Sequence, residues 1–162
     1  MSYIGRMNKG GFLVGTGLGN VELPVGANGT RLEADSTQPD GVKWSPQSPG
    51  IKSWINNTSG SAVSMAVNTG YIANNQGNVI TYTLPATSAV GDEIRLVSAG
   101  ATGGYAIAQG AGQQIQFGTS NTTLGVTGGL VYSTGGDCLH LLCIVANTTW
   151  QVIDWVGAPN LS

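Results

Sequence analysis

The stretch that decides the fold is DCLHLLCIVANTTWQVIDWV, residues 137–156, which contains neither glycine nor proline. Its first half is apolar on every side, so a buried helix is an alternative interpretation. We interpret it as strand because the apolar run is short and gains β-branched residues toward its end. Asn147-Thr148-Thr149 can then form a hairpin loop before the alternating run 150–156. A strand that is apolar on both faces must be covered on both sides, by a second sheet or by another subunit.

The same stretch carries the only histidine and both cysteines of the chain. On a strand, Cys138 and His140 share one face, whereas Asp137 and Cys143 share the other. This separation predicts two free buried thiols and argues against a compact set of metal ligands. We interpret His140 as a buried structural imidazole, the alternative being three symmetry-related copies that bind a metal or an anion. We expect no cofactor and no resident metal.

The overall composition also favours an all-β fold. The 162 residues include 26 glycines and 6 prolines, but only 6 basic and 8 acidic residues. Average proteins have roughly 7% glycine and 25% charged residues, so a helix-rich enzyme is excluded. In the run 78–84, Ile80, Tyr82 and Leu84 share one face. From residue 50 onward, such short runs alternate with glycine-rich turns, which predicts a β-sandwich, jelly roll or barrel.

The distribution of charge divides the chain into two parts. Eight charged residues precede Trp44, and the segment SPQSPG at 45–50 is typical of an extended connector. We therefore predict a short N-terminal β segment at 1–48 and a β-sandwich or jelly-roll-like head at 49–162. Asn28-Gly29 predicts a hairpin turn in the first part. Its few strands cannot hold a core alone, so this part must borrow a partner surface.

Several classes of partner are disfavoured by the charges and the apolar pattern. A net charge of −2 without a basic cluster disfavours nucleic acid. No secretory signal or membrane-length apolar run is present, so we expect synthesis in the cytoplasm and no membrane partner. No charged residue lies between Lys52 and Asp92 or between Arg95 and Asp137. Low-charge surfaces of this length suit subunit interfaces, and we expect an obligate homotrimer.

Groups suited to catalysis are few. Asp92 and Glu93 are the only adjacent acids, and neighbouring residues of a strand face apart. They would make a poor carboxylate pair for glycoside hydrolysis. We therefore predict that the chain is not an enzyme.

Carbohydrate binding remains open because aromatic side chains flanked by amides bind sugars. Tyr71, Tyr105 and Tyr132 lie next to expected loops, and with Asn121 they are the candidate residues for contact with a glycan or receptor. The alternative is that these aromatic side chains fill the core or a subunit interface.

Two parts of the chain resemble structural proteins of bacteriophages. Residues 10–44 resemble a short module of tail fibres and other virion proteins, through FLVGTG at 12–17, LPVGANG at 23–29 and ADSTQPDGVKW at 34–44. Residues 80–156 are similar to a β-rich C-terminal domain that follows such modules, through YTLPAT at 82–87, IAQGAGQQI at 107–115 and VANTTW at 145–150.

The resemblance implies a non-enzymatic, trimeric protein of the virion surface, with an N-terminal β arm and a β-sandwich head. Two roles are open. One is a tail-fibre-like spike that attaches to host-surface glycan, and the other is a capsid decoration, cement or head-fibre protein that stabilises the shell. The presence of a single module argues against a long fibre. In both roles the arm joins other virion proteins, and its candidate attachment residues are Arg6, Lys9, Glu22, Arg31 and Glu33.

Overall fold

A computed structural model describes residues 8–46, 50–75, 77–99 and 102–162. In these ranges the regular secondary structure is entirely β-strand, which confirms the predicted all-β class. The chain divides into two compact units, Met1–Ser48 and Pro49–Ser162.

The strands of the first unit are β1 (Phe12–Gly15), β2 (Asn20–Leu23), β3 (Thr30–Ala34) and β4 (Val42–Pro46). Those of the second unit are β5 (Ser53–Asn57), β6 (Val63–Ser64), β7 (Thr69–Ala73), β8 (Val79–Thr83), β9 (Glu93–Ser98), β10 (Thr102–Ala108), β11 (Gln114–Phe117), β12 (Ser120–Asn121), β13 (Gly129–Thr134), β14 (Cys138–Val145), β15 (Thr149–Val156) and β16 (Asn160–Leu161).

The first unit contains two separate hairpins, β1 with β2 and β3 with β4. Asn28-Gly29 forms a turn in which the Thr30 amide donates to the Ala27 carbonyl at 3.1 Å. This turn connects the two hairpins and lies inside neither of them. The predicted hairpin at Asn28-Gly29 is therefore wrong, because β2 pairs with the strand before it and β3 with the strand after it.

Packing within the first unit centres on Trp44. Its indole nitrogen donates to the Pro24 carbonyl at 2.8 Å, and its ring lies 6.1 Å from the ring of Phe12. The indole also covers Gly26, where an added Cβ would collide with the ring. None of the apolar side chains described in this unit is buried, and Phe12 itself is 49% exposed. The described part of the unit therefore lacks a hydrophobic core.

The second unit is a sandwich of two sheets, as expected. The large sheet has the order β12-β11-β15-β14-β9-β7-β5, and the small sheet has the order β16-β13-β10-β8-β6. Residues 137–156 supply the hairpin β14–β15 of the large sheet, with Asn147 in its turn at a φ of 63°. Strand, rather than helix, is thus confirmed for this stretch.

One hydrophobic core lies between the two sheets, built from the inward-facing side chains of both. Ile80, Tyr82 and Leu84 of the small-sheet side are buried in it, as their alternation predicts. In β14, Leu139, Leu141 and Cys143 enter this core, whereas the alternate positions His140 and Leu142 face outward.

Four tyrosine rings form a continuous ladder through the core: Tyr71, Tyr82, Tyr105 and Tyr132. Successive ring centroids are 5.4, 6.4 and 5.0 Å apart. The Tyr82 hydroxyl donates to Asn57 Oδ1 at 3.1 Å, but the hydroxyls of Tyr105 and Tyr132 have no hydrogen-bond partner among the described residues. The Tyr71 hydroxyl, at the other end of the ladder, accepts a hydrogen bond from the Ala66 amide at 2.7 Å. Hydrogen bonds therefore fix the Tyr71 and Tyr82 hydroxyls, whereas Tyr105 and Tyr132 are held by aromatic packing.

Two buried glutamines fix the loops of the second unit. Gln109 Nε2 donates to the carbonyls of Gln113 at 2.7 Å and Thr123 at 3.1 Å, and its Oε1 accepts a hydrogen bond from the Thr122 hydroxyl. Gln113 Nε2 in turn donates to the Pro85 carbonyl at 2.7 Å. A single side-chain network thus satisfies carbonyl groups from several loops, and these groups would be costly to bury unpaired.

Replacement of Gln109 by alanine should lower the free energy of unfolding by about 2 to 3 kcal/mol, because buried partners lose their hydrogen bonds. Chemical denaturation followed by circular dichroism measures the change. Gln116→Ala is the matched control, since no hydrogen bond is made by the Gln116 side chain to the described residues, and it should cost about 0.5 kcal/mol or less. Equal losses for the two variants would contradict this role for Gln109.

The fold should also unfold at alkaline pH because of the tyrosine ladder. Burial raises the pKa of Tyr82 from 10.0 to about 12 and raises the pKa values of Tyr105 and Tyr132 as well. Tyrosines of the unfolded chain ionise near 10.0, so the stability from keeping them neutral is complete below that pH. It is lost as the pH rises through about 12. Tyrosinate absorbance and circular dichroism should change together, and ionisation of these tyrosines in a folded protein would contradict the expectation.

Candidate functional site

A row of side chains crosses the outer face of the large sheet, the face turned away from the core. Strand register places five residues side by side, one each from β5, β7, β9, β14 and β15: Trp54, Gly70, Arg95, His140 and Asp154. Neighbouring strands lie about 4.8 Å apart, so the polar groups of the row are within reach of one small ligand. The fold thus brings together residues that are far apart in the sequence.

The indole of Trp54 lies flat on the backbone of Gly70. An added Cβ at Gly70 would lie within 2.6 Å of three atoms of the six-membered ring, Cδ2, Cε2 and Cε3. One face of the indole is therefore packed against the sheet, and Trp54 remains 51% exposed. The absence of a side chain at Gly70 creates a fixed, outward-facing aromatic platform.

A shallow cavity of about 180 Å³ lies along this row. Every residue of the row that has a side chain lines it, which leaves out only Gly70. Further residues of β9 and β14, including Val97 and Cys138, complete the lining. The cavity therefore combines an aromatic surface with a guanidinium, an imidazole and a carboxylate. This mixture of an apolar surface and a few polar groups is typical of a small-ligand site.

His140 is held in place by Glu93. The imidazole Nε2 lies 3.0 Å from Glu93 Oε2, and the His140 side chain is 12% exposed. Glu93 faces outward, whereas Asp92 faces inward and accepts a hydrogen bond from Asn68 Nδ2 at 2.7 Å. The two adjacent acids therefore have different hydrogen-bond partners, Asn68 for Asp92 and His140 for Glu93. In the described residues, Nε2 is already engaged by a carboxylate of the same chain.

Arg95 and Asp154 are the free charged groups of the cavity. Neither forms an ion pair with any residue in the described ranges. Both are exposed, and they flank His140 on opposite sides in the row. The guanidinium supplies only donors and the carboxylate only acceptors, so the site can bind a ligand that carries both kinds of group.

Three of the predicted contact residues are buried in the core. Tyr71, Tyr105 and Tyr132 are at most 1% exposed, so the prediction that they meet a glycan or receptor is wrong. Each lies close to a turn in the sequence, but each takes an inward position of its strand. Asn121 is exposed in β12, at the edge of the large sheet, away from the row.

The candidate attachment residues of the first unit have different environments. Lys9 and Arg31 are exposed, and Glu33 is half-buried. Glu22 Oε1 accepts a hydrogen bond from the Asn8 amide at 2.7 Å, which gives this side chain a structural contact. Arg6 lies outside the described residues.

The cysteines are both free, as predicted. Cys143 is buried, whereas Cys138 is only half-buried on the outer face, so the prediction of two buried thiols is correct for one of them. Within the described ranges, no three His, Cys, Asp or Glu side chains are grouped so that they could hold a metal ion. The same part of the chain has no helix long and apolar enough to span a membrane.

Comparison of the sequence with protein-family models and with curated proteins found no match in either case. The site therefore has to be interpreted from its own geometry. Sequence reasoning missed the row because β5, β7, β9, β14 and β15 are neighbours only in the folded sheet. The signals in the sequence were His140, the only histidine of the chain, and Trp54, an aromatic residue near the start of the second part.

Replacement of Gly70 by alanine should displace the Trp54 indole, because the new methyl group would occupy the position of the ring. We expect a loss of about 1 to 3 kcal/mol in unfolding free energy. The indole N–H signal of Trp54 in an NMR spectrum, assigned with a Trp54→Phe variant, should shift. Gly19→Ala is the control, since nothing lies within 4 Å of its added Cβ. An unshifted Trp54 signal in Gly70→Ala would contradict the packing.

Proposed function

We propose that the chain is a non-enzymatic structural protein of a bacteriophage virion, which forms a short trimeric spike on the particle surface and contacts the host. The main support is an N-terminal unit that is rich in exposed apolar side chains and has no buried ones among those described. Such a unit gains stability by packing on another protein. Its sequence is also the part that resembles the module of phage tail fibres.

The first unit is suited to attachment because its apolar side chains remain available. Leu18 is fully exposed, Val25 is 64% exposed, and Phe12 is half exposed. Burial of these side chains on a neighbouring virion protein would contribute about 25 cal/mol per Å² of apolar surface. Within this unit, neighbouring segments are joined by the Trp44 hydrogen bond to Pro24 and by an ion pair of 3.1 Å between Lys43 and Asp35.

The second unit is suited to a compact, durable head. Its core joins both sheets, and its buried glutamine network fixes the loops. Leu124 and Val126 are 64% and 71% exposed, which leaves apolar surface for packing against further copies of the chain. A trimer would bury this surface and would present three identical heads.

The proposal can be tested with phage particles from a mutant that lacks this chain. Light scattering of the purified full-length protein should give three times the mass of one chain. This protein should then bind to the mutant particles. Val25→Glu should abolish addition, because burial of an unpaired charge at the contact is costly. Val90→Glu is the matched control, since Val90 is 66% exposed but lies in the second unit.

Location by electron microscopy separates the two virion roles. A few copies at the tail would support the spike, and many copies over the shell would support a capsid decoration or cement protein. A stable monomer that never associates with particles would contradict both roles.

A further inference from the structure

We propose that the cavity on the outer face of the large sheet binds one neutral hexopyranose unit of a polysaccharide. Trp54 would provide the stacking platform, and Arg95, His140 and Asp154 would provide the hydrogen bonds. The inference rests on the proposed function, because it names the ligand through which the surface protein contacts its host.

The platform is the first argument for a sugar. One face of a pyranose ring carries C–H groups, which pack well against the face of an aromatic ring. Trp54 presents such a face, because its other face lies on Gly70. The indole is thus oriented before the ligand arrives, which reduces the entropy lost on binding.

The polar groups are the second argument. Sugar hydroxyls act as both donors and acceptors, and the cavity offers both partners. Arg95 supplies several N–H donors, and the Asp154 carboxylate can accept from two adjacent hydroxyls. Arg95 and Asp154 lie on either side of His140, with two strand spacings, about 10 Å, between their backbone positions. Both side chains can therefore contact a sugar that lies against the Trp54 indole and extends over His140.

His140 is prepared for a polar contact in the middle of the cavity. Its Nε2 is bonded to Glu93, which fixes the orientation of the imidazole. Its Nδ1 makes no hydrogen bond to the described part of the chain and is left for a ligand. The ring therefore has one nitrogen for positioning and one for recognition.

The charged side chains at the cavity favour a neutral sugar over an acidic one. Arg95 and Asp154 carry opposite charges, and the charge of Glu93 lies next to His140. A sugar carboxylate placed here would meet one guanidinium but two carboxylates, Asp154 and Glu93. Hydroxyl groups bind to both kinds of side chain without this repulsion.

The size of the cavity indicates a single sugar unit per head. About 180 Å³ is smaller than the roughly 300 Å³ at which sites for drug-sized ligands begin, which fits a ligand no larger than one sugar unit. A shallow site of this kind binds weakly, with dissociation constants on the order of 1 mM. Three heads on one trimer would raise the avidity for a repeated polysaccharide, provided that the sites can engage together.

Saturation-transfer NMR with the full chain tests the site. The probes are the methyl glycosides of glucose, galactose, mannose and N-acetylglucosamine, with methyl glucuronide as the acidic comparison. At least one neutral glycoside should bind and should shift the Trp54 indole signal. Trp54→Ala should weaken this binding at least about tenfold. Asp154→Asn, an exposed and isosteric change that spares the fold, should weaken it several-fold.

Trp155→Ala is the matched control, because Trp155 is similarly exposed but packs on Phe117 at 4.7 Å, away from the cavity. It should leave binding within twofold of the original. Absence of binding by every neutral glycoside, binding that survives both cavity variants, or preference for the glucuronide would overturn the inference.

The result is distinguishable from failure of the proposed function. A protein that adds to particles but binds no neutral glycoside overturns only the sugar site. A protein that binds a glycoside through Trp54 but is never found on particles supports the sugar site and overturns the virion role.

Discussion

The second unit depends on burial of one face of the β14–β15 hairpin against the small sheet. Leu139, Leu141 and Cys143 of β14 enter the shared core, and Trp150 and Val152 of β15 enter beside them. A shift of register by one residue would turn this apolar set toward solvent. The core therefore determines the register of the central strands, and the register determines which residues meet on the other face.

The candidate site is a consequence of this constraint. Once Leu139 and Leu141 face inward, His140 must face outward, and its neighbours in the sheet must be Arg95 and Asp154. Parallel pairing of β5 with β7 and of β7 with β9 extends the row to Trp54. Gly70 completes it, because only a residue without a side chain leaves room for the indole to lie on the sheet. Binding chemistry on one face thus relies on packing on the other.

The two units have opposite energetic characters. The second unit has its own core and a buried hydrogen-bond network, whereas the described apolar side chains of the first unit are all at least partly exposed. Two hairpins with one aromatic contact, between Phe12 and Trp44, bury little surface. This contrast matches a proposed division of labour in which the first unit attaches to the particle and the second supplies a stable head.

The alternation of residues along short runs of the sequence was enough to predict several features. These are the all-β class, the outward and inward sides of 78–84, and the opposite faces of Cys138 and Cys143. These features follow from local geometry, since a strand turns successive side chains to opposite faces. Only the tertiary structure decided the partners of β2 and β3, the burial of Tyr71, Tyr105 and Tyr132, and the row from Trp54 to Asp154. Strand order joins segments that are distant in the chain, and a residue beside a turn in the sequence can still point into the core.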